Sequence, residues 1–374
     1  MAPAMLDTQP RTRGSAHQRV NQSAKVNGSS KKSTQENLKR PYLQFLDDVE
    51  APGIGTLFDP KKHLAYQEPS TIHTMEEIGF PSSKGVSPIA VSEPFQLFTK
   101  EAVEIMRKEI MSKEVQEHYS YTSDIAPKQL RGYAPKCAKF IYEAWKHPKT
   151  LALLSKIAGV DLVPVMDYEI GHINLSTTKM VENIDDDDSA IVGWHRDSYP
   201  FVCVLMMSDT TNMIGGETAL RTGTGDIMKV RGPSKGCAVV LQGRYIDHQA
   251  LSAYGGQERI TMVTSFRPRS PSIRDDTVLT TVRPISELSD LYGQTVEYQL
   301  ENAEDRIRKM LRQVRDQMKA GSVNVPAIKE FLQFEIDALS HLNGEIVDPS
   351  LVKKGHVKEV CEEATGKKRA KSDA

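Results

Sequence analysis

The chain has 374 residues, of which 39% are hydrophobic and 26% are charged, so it can bury a core and keep a charged surface. Its 48 Lys and Arg side chains nearly balance its 49 Asp and Glu side chains, which argues against binding to nucleic acid or an anionic membrane through bulk charge. The sequence has no apolar run of membrane-helix length, no secretory signal and no closely spaced cysteine pair. We therefore expect a protein of a reducing compartment, the cytoplasm, with no nucleic-acid or membrane partner.

The two ends of the chain differ in composition from its middle. Residues 1–40 contain few large apolar side chains among many Ser, Gln, Asn, Lys and Arg, and residues 362–374 are short and basic. Neither segment offers enough apolar area to offset the entropy of ordering its backbone. We predict two disordered tails, and between them a single domain over 41–361.

Helical periodicity dominates the first part of this domain. Apolar residues at helical spacing predict a helix over 100–115 with Thr99 as its N-cap. Two further helices are predicted over 135–145 and 148–158, the second of them ended by Gly159.

From Leu162 the sequence changes to short runs of β-branched, apolar and aromatic residues, separated by turns that contain glycine. Such closely spaced runs predict a sandwich or barrel of antiparallel sheets. The predicted strands are 163–175, 190–194, 201–207, 217–220, 226–230, 237–242 and 261–266. Helical patterns return in a C-terminal extension, about 285–361, with helices predicted over 301–320 and 326–342.

The segment Trp194-His195-Arg196-Asp197 places an imidazole and a carboxylate two residues apart. In an extended backbone, side chains at i and i+2 emerge on the same face, so both can reach one ion. His248, which follows the predicted strand 237–242, offers a third ligand, and two histidines with one carboxylate form the facial triad of non-haem Fe(II) oxygenases. A lone His-x-Asp also occurs by chance. His195 could equally be a core histidine, and Asp197 the cap of a turn.

Arg259 follows His248 by eleven residues. A dicarboxylate that chelates a metal through a 2-oxo acid end carries a second carboxylate, which is costly to bury without a partner. The guanidinium of Arg259 offers a bidentate match, and Thr261 can add a hydroxyl from the same strand face. In isolation, Arg259 would instead be interpreted as a surface residue of a strand.

The order of these features resembles that of the Fe(II)/2-oxoglutarate-dependent dioxygenases. The resemblance covers roughly residues 160–270 and is carried by Trp194-His195-Arg196-Asp197, Gly215-Gly216-Glu217-Thr218, the apolar strand before His248, and Arg259-Ile260-Thr261. The continuation 262–271 resembles a branch of the family from fungal secondary metabolism. The resemblance implies an α+β fold with a mainly β core, a double-stranded β-helix (jelly roll) with N-terminal and C-terminal helices.

The resemblance also implies a catalytic Fe(II) bound by His195, Asp197 and His248, 2-oxoglutarate bound by Arg259 with Thr261, and O2 as a second co-substrate. Such an enzyme oxidises an unactivated C–H bond of a small molecule by hydroxylation, desaturation or oxidative cyclisation, here in secondary-metabolite or amino-acid-derived biosynthesis. Because Asp197 fills the position that halogenases of the family leave open for chloride, halogenation is disfavoured.

Five residues are candidates for contacts with the substrate or 2-oxoglutarate. Tyr168, His172 and Asn174 are predicted to share one face of a strand over 168–174, where ordinary core and network roles are the alternative. Arg196 and Arg221 lie near the motif in sequence and could hold an acidic group.

Other functions remain open at this point. Gly-Gly-Glu-Thr also suggests a protein hydroxylase, and the branch resemblance suggests an aziridine-forming amino-acid oxygenase. A jelly-roll binding protein without turnover would have a replaced triad residue or arginine, and none is replaced. Jelly-roll oxygenases often dimerise, and the amphipathic helix over 301–320 is a candidate contact in a homodimer.

Overall fold

The computed structural model describes residues 55–126, 128–177, 190–230, 234–255 and 258–357. The predicted tails, 1–40 and 362–374, lie outside these ranges, and the predicted domain over 41–361 extends past them at both ends. None of the helices in the described ranges is long and apolar enough to cross a membrane.

Helices occupy the two ends of the described chain. They are α1 (Pro60–His63), α2 (Lys100–Met111), α3 (Lys113–His118), α4 (Ala134–Cys137), α5 (Lys139–Lys146), α6 (Pro148–Ala158), α7 (Leu288–Lys319) and α8 (Val325–Glu345).

Short strands lie before and between the helices, and the longer ones follow α6. The strands are β1 (Ile72–Thr74), β2 (Ile89–Ser92), β3 (Phe95–Gln96), β4 (Ser120–Tyr121), β5 (Lys128–Leu130), β6 (Leu162–Pro164), β7 (His172–Thr177), β8 (Ala190–His195), β9 (Phe201–Met206), β10 (Ile214–Gly215), β11 (Thr218–Arg221), β12 (Ile227–Val230), β13 (Cys237–Leu241), β14 (His248–Leu251), β15 (Ala253–Tyr254) and β16 (Glu258–Pro268).

Two antiparallel sheets form the core. The large sheet has the order β1-β2-β13-β9-β16-β7-β5-β4, and the small sheet has the order β12-β11-β14-β8. The chain crosses between these sheets after β7, β8, β9, β12, β13 and β14, so that β7-β16-β9-β13 lie opposite β8-β14-β11-β12. This is the strand order of a double-stranded β-helix. The predicted fold class, an α+β jelly roll with N-terminal and C-terminal helices, is confirmed.

The large sheet separates two apolar clusters. On one face, Ile260 and Met262 of β16 pack in the cluster shared with the helices, where Trp145 of α5 places Nε1 3.2 Å from Sδ of Met262. On the other face, Val263 packs against the cluster that includes Leu220 of the small sheet. The second cluster therefore fills the space between the sheets, and alternate residues of β16 point to opposite clusters.

Two predicted helices are each interrupted by one non-helical residue. The helix predicted over 100–115 begins after Thr99, whose hydroxyl accepts the N–H of Ala102 at 3.1 Å and so acts as the predicted N-cap. It stops at Ser112, which has ψ 147° and caps α3. The helix predicted over 135–145 is divided in the same way at Ala138, with ψ 72°. Periodicity did not reveal these breaks because the apolar spacing continues through them.

The remaining helices agree better with their predictions. α6 has the predicted bounds and ends at Gly159, with φ 67°. α7 begins well before residue 301, because Leu288, Leu291 and Tyr298 pack into a buried cluster with Tyr168 and extend the apolar face.

The strand predicted over 163–175 is two strands. β6 and β7 are separated by a 3₁₀ turn, Asp167–Glu169, and by Gly171 at φ 72°. β16 begins at Glu258 rather than at residue 261. Its early start places Arg259 inside the sheet.

Candidate metal centre and its surroundings

His195 and His248 are neighbours in the small sheet. His195 is the last residue of β8, His248 is the first residue of β14, and the two are cross-strand partners. This register brings their ring centroids to 4.4 Å. Asp197 follows β8, and its N–H donates to the carbonyl of Gly243 at 3.0 Å. That bond fixes the segment after β8 against the segment before β14.

The three side chains converge on one point. Nε2 of His195 lies 3.8 Å from Oδ1 of Asp197, and Nε2 of His248 lies 3.5 Å from Oδ2. One ligand atom of each residue lies within 4.8 Å of the other two. The structure therefore brings together the three residues that the sequence predicted as metal ligands.

Both imidazoles are held through Nδ1. Nδ1 of His195 lies 2.8 Å from the carbonyl oxygen of Gly193, and Nδ1 of His248 lies 2.9 Å from that of Ile246. Because a carbonyl oxygen only accepts, each Nδ1 carries a proton and donates it. Each Nε2 then faces the shared point, as in metal-binding histidines oriented by an outer acceptor.

The pKa values of the cluster reflect burial and close charges. Burial and the neighbouring His248 lower the pKa of His195 to about 4. Burial alone would lower the pKa of His248, but the Asp197 carboxylate raises it above its ordinary value. Burial alone would raise the pKa of Asp197, but the two imidazoles hold it below its usual range. The site thus keeps a carboxylate ionised in a partly buried position, which favours a bound cation.

The chemistry of the donor set fits a metal ion. Oδ2 of Asp197 is buried and has no hydrogen-bond partner among the described residues, and such a carboxylate oxygen is costly without a compensating charge. Two imidazole nitrogens and one carboxylate oxygen on one face are the ligands of non-haem Fe(II) sites with open coordination positions. These residues therefore fit a ferrous ion.

Gly243 makes room for the carboxylate. A Cβ atom at this position would lie 1.8 Å from Oδ2 of Asp197 and 2.7 Å from its Cγ. Any other residue at 243 would displace the carboxylate from the shared point. The sequence offered no sign of this role, because it depends on contact between two separate loops.

Arg259 and Thr261 face the space between the sheets. They alternate along β16 with Ile260 and Met262, which pack toward the helices. Both are buried, at 9% and 3% exposure. Burial lowers the pKa of Arg259, but a guanidinium stays protonated near neutral pH. Its Nη2 donates to the carbonyl of Gly216 at 3.4 Å.

The Gly215-Gly216 pair shapes the surroundings of Arg259. Both residues have φ 76°, a left-handed conformation that favours glycine. A Cβ atom at Gly216 would lie 3.5 Å from Nε of Arg259 and 3.4 Å from Cβ of Ala253. These are ordinary contact distances, so the left-handed backbone, rather than lack of space, favours glycine beside the guanidinium.

Two of the candidate contact residues line the same interior face. Asn174 of β7 is the cross-strand partner of Thr261, and His172 is the partner of Val263. Cross-strand partners point to the same side of a sheet. His172 and Asn174 therefore share the face that carries Arg259.

Tyr168 does not belong to this face. It lies in the 3₁₀ turn before β7, and its hydroxyl accepts the N–H of Glu287 at 2.7 Å. Its ring packs with Leu291 and Tyr298 of α7. The predicted alternation along one strand over 168–174 was wrong, because the turn breaks the period of two.

A buried polar network lies next to β7, and the sequence did not reveal it. Arg131 donates from Nη1 to Nδ1 of His172 at 2.8 Å and forms an ion pair with Glu169, both side chains being 1% exposed. Tyr199 donates to Glu169 at 2.9 Å, and Gln129 donates to Asn174 at 3.1 Å. These residues come from separate segments, and no local pattern distinguishes such partners from surface residues.

The two candidate arginines are engaged elsewhere. Arg196 is half-exposed and forms two hydrogen bonds with Asp247, at 2.9 and 3.3 Å. Arg221 is exposed and stacks on the ring of Trp194 at 4.5 Å. The structure thus gives both guanidinium groups partners in the protein.

Comparisons with known proteins gave only remote similarities. No family model and no curated protein matches the chain. A solved oxidoreductase of the 2OG-Fe(II) oxygenase family from Burkholderia pseudomallei is 15% identical with a TM-score of 0.32, covering 41% of this chain and 75% of that protein. A prolyl-4-hydroxylase from Pseudomonas putida is 18% identical with a TM-score of 0.31, covering 46% and 88%. HygX from Streptomyces hygroscopicus, solved with nickel and 2-oxoglutarate, is 13% identical with a TM-score of 0.32, covering 46% and 80%. These scores are too low to support an assignment, which therefore depends on the chain's own geometry.

Proposed function

We propose that the protein is an Fe(II)/2-oxoglutarate-dependent dioxygenase that oxidises an unactivated C–H bond of a small molecule. One observation carries the proposal. His195, Asp197 and His248 place three ligand atoms within 4.8 Å of one another on a jelly-roll barrel, with both Nδ1 atoms held by backbone carbonyls.

With 2-oxoglutarate and dioxygen, a ferrous ion held there would couple oxidative decarboxylation of the 2-oxo acid to oxidation of the substrate. The protein's own contribution is the placement of charges and the exclusion of water. Asp197 supplies the anionic ligand, and its presence supports oxygenation over halogenation.

Arg259 is the proposed anchor for the distal carboxylate of 2-oxoglutarate. Its guanidinium is buried, and a charged donor in a poorly hydrated site interacts strongly with an anion such as a carboxylate. Thr261, two residues along the same strand face, can donate its hydroxyl to the same group.

The substrate is proposed to be small and polar, in secondary-metabolite or amino-acid-derived biosynthesis. The support is the interior face beside Arg259, where His172 and Asn174 are held by Arg131 and Gln129. Such a fixed polar wall suits a compact polar molecule. Product analysis would separate hydroxylation, desaturation and cyclisation.

The test is anaerobic addition of Fe(II) and 2-oxoglutarate to the purified protein. We expect a weak visible charge-transfer band and, with a substrate and air, release of succinate. His248→Ala should abolish both, whereas His118→Ala, which changes an exposed histidine of α3, should leave both unchanged. Absence of the band in the wild-type protein, or its persistence in His248→Ala, would contradict the proposal.

A further inference from the structure

The C-terminal helical pair exposes a row of large apolar side chains. After Ala303, no residue of α7 is buried, and the buried residue of α8 is Glu335. Nine large apolar side chains of these helices are exposed: Phe334 of α8, at 41%, packs against the guanidinium of Arg306 away from the row, and the other eight are between 43% and 64% exposed. They are Leu300, Ile307, Leu311 and Met318 of α7, and Val325, Leu332, Ile336 and Leu339 of α8. A row of exposed apolar side chains of this kind is typical of a surface that contacts another molecule.

These side chains lie on one side of the helical pair. They follow intervals of seven, four and seven residues in α7, and of seven, four and three in α8, which forms one stripe along each helix. Arg306 of α7 and Glu335 of α8 face the opposite helix, since they pair with each other. On each helix the stripe lies roughly a quarter-turn from that facing side, and the rotation has the same direction in both helices. Because the helices are antiparallel, the same sense of rotation places both stripes on the same side.

We propose that this surface, called here the hairpin face and defined by those eight residues, binds a second copy of the chain. The two hairpins pack face to face across a two-fold axis perpendicular to the helices. They form a four-helix bundle in which α7 lies antiparallel to α7 of the second copy. The proposal is independent of the metal centre.

The spacing in α7 is self-complementary. Its four apolar positions are symmetric about residue 309. A two-fold axis at that level places Leu300 opposite Met318 of the second copy, and Ile307 opposite Leu311. Every apolar residue of the stripe then meets an apolar residue, as an isologous interface requires.

Contacts within the hairpin determine which part of α8 lies at the same level. Arg306 forms an ion pair with Glu335 at 2.6 Å, and the side chain of Gln317 accepts the N–H of Asn324 at 2.9 Å. Because the helices are antiparallel, residue numbers increase along α7 in the direction in which they decrease along α8. Both contacts therefore give the same register, in which residue 309 lies at the same height as Leu332.

Three of the four α8 positions are symmetric about that same level. An axis at Leu332 places this residue opposite its own copy and places Val325 opposite Leu339, while Ile336 falls opposite the half-buried Ile328, an apolar residue outside the face. A face that binds an unrelated protein has no reason to repeat its spacing on both sides of one level in two helices. This agreement favours a second copy as the occupant.

The charges beside the stripe of α7 are also complementary. Glu304 and Arg315 are exposed on the same outer edge of α7. The two-fold axis places Arg315 of the second copy opposite residue 303, next to Glu304. Glu304 already pairs with Arg308 of its own helix at 2.5 Å, so the second copy extends an alternating charge row.

Sedimentation velocity of the full chain at micromolar concentration tests the proposal. We expect a dimer for the wild type and a monomer for Ile307→Glu, with unchanged circular dichroism because Ile307 is already half-exposed. Arg312→Glu is the matched control, since this exposed residue lies on α7 away from the hairpin face, and it should remain dimeric. A monomeric wild type, or a dimer that survives Ile307→Glu, would overturn the proposal. In the first case, removal of residues 1–54 would show whether that segment covers the face.

Cysteine cross-linking tests the position of the axis. Leu332→Cys places a thiol opposite its own copy and should give a disulfide-linked dimer under mild oxidation. Glu330→Cys, exposed on the far side of α8, is the control, and the wild type gives the background of the native cysteines. Equal cross-linking of the two variants would exclude the proposed axis.

Discussion

At the scale of single residues, the candidate metal centre depends on a glycine that is not itself a predicted ligand. The carboxylate of Asp197 reaches the two imidazoles because Gly243 has no side chain. The backbone N–H of Asp197 also donates to the carbonyl of Gly243. The three candidate ligands could be predicted from the His-x-Asp pattern and His248. The supporting glycine was not, because only the folded chain brings it against the carboxylate.

Gly243→Ala should weaken Fe(II) binding by about tenfold or more, the effect typical of a displaced ligand or its outer support. The added Cβ would push Asp197 away from the two imidazoles. Anaerobic calorimetry measures the affinity. Gly293→Ala in α7 is the matched control, because a Cβ there meets nothing within 4 Å and the residue lies outside the site. Equal affinities in the two variants would show that Gly243 has no such role.

His172 should make the protein less stable as the pH falls. Burial, and next the charge of Arg131, lower its pKa well below the ordinary value, and Arg131 donates to its Nδ1. The unfolded chain takes up a proton below about pH 6.5 while the folded chain does not. The free energy of unfolding therefore falls by up to about 1.4 kcal/mol per pH unit from this residue.

Urea unfolding at pH 7.5, 6.5 and 5.5 tests this expectation. His172→Gln should be less stable than the wild type at pH 7.5, because it disturbs the network, and the difference should shrink toward pH 5.5. His118→Gln, on the surface of α3, should follow the wild type at every pH. A constant difference between His172→Gln and wild type would contradict the assigned shift.

At the scale of elements, β16 decides which residues meet the proposed co-substrate. The sequence predicted a strand from residue 261, and the structure extends it to Glu258. Pairing of residues 258–260 with β7 explains the extension, since the pairing with β9 begins only at Thr261. That pairing also determines which alternate residues face the interior. The run of β-branched residues was enough to predict that a strand lies here. Where that strand begins and ends depends on the neighbouring strands, which are remote in sequence.

Arg259→Lys should raise the KM for 2-oxoglutarate by about 10- to 100-fold, equivalent to a lost charge-assisted hydrogen bond of about 1.5–3 kcal/mol. Lysine keeps the charge but cannot bind a carboxylate bidentately. Succinate release at varied 2-oxoglutarate gives the KM. Arg267→Lys changes an arginine at the other end of β16, stacked on Tyr298, and should leave the KM unchanged. A similar KM in both variants would remove Arg259 from the proposed site.

At the scale of the whole molecule, metal binding should be coupled to folding. The three ligands come from two segments of the small sheet, and the unfolded chain does not hold them together. A metal that binds only the folded state stabilises it by about 2.7 kcal/mol at 100 times its Kd. We expect anaerobic Fe(II) to raise the Tm of the wild type and chelation to reverse the rise. Asp197→Asn, which keeps the side chain's size, should lose most of this increase. An equal increase in both proteins would place the stabilising metal elsewhere.

The sequence by itself determined the class of fold and named the three residues that the fold brings together at the candidate site. Patterns with periods of two and 3.6 residues predict strands and helices, and a metal site requires particular residue types in a particular order. Only the tertiary structure decided how Gly243 accommodates Asp197, that Arg131 pairs with Glu169, and which side of α7 and α8 faces solvent. The physical reason is distance along the chain. Local patterns record the preferences of neighbours, whereas close packing and burial of charge depend on segments that meet only after folding.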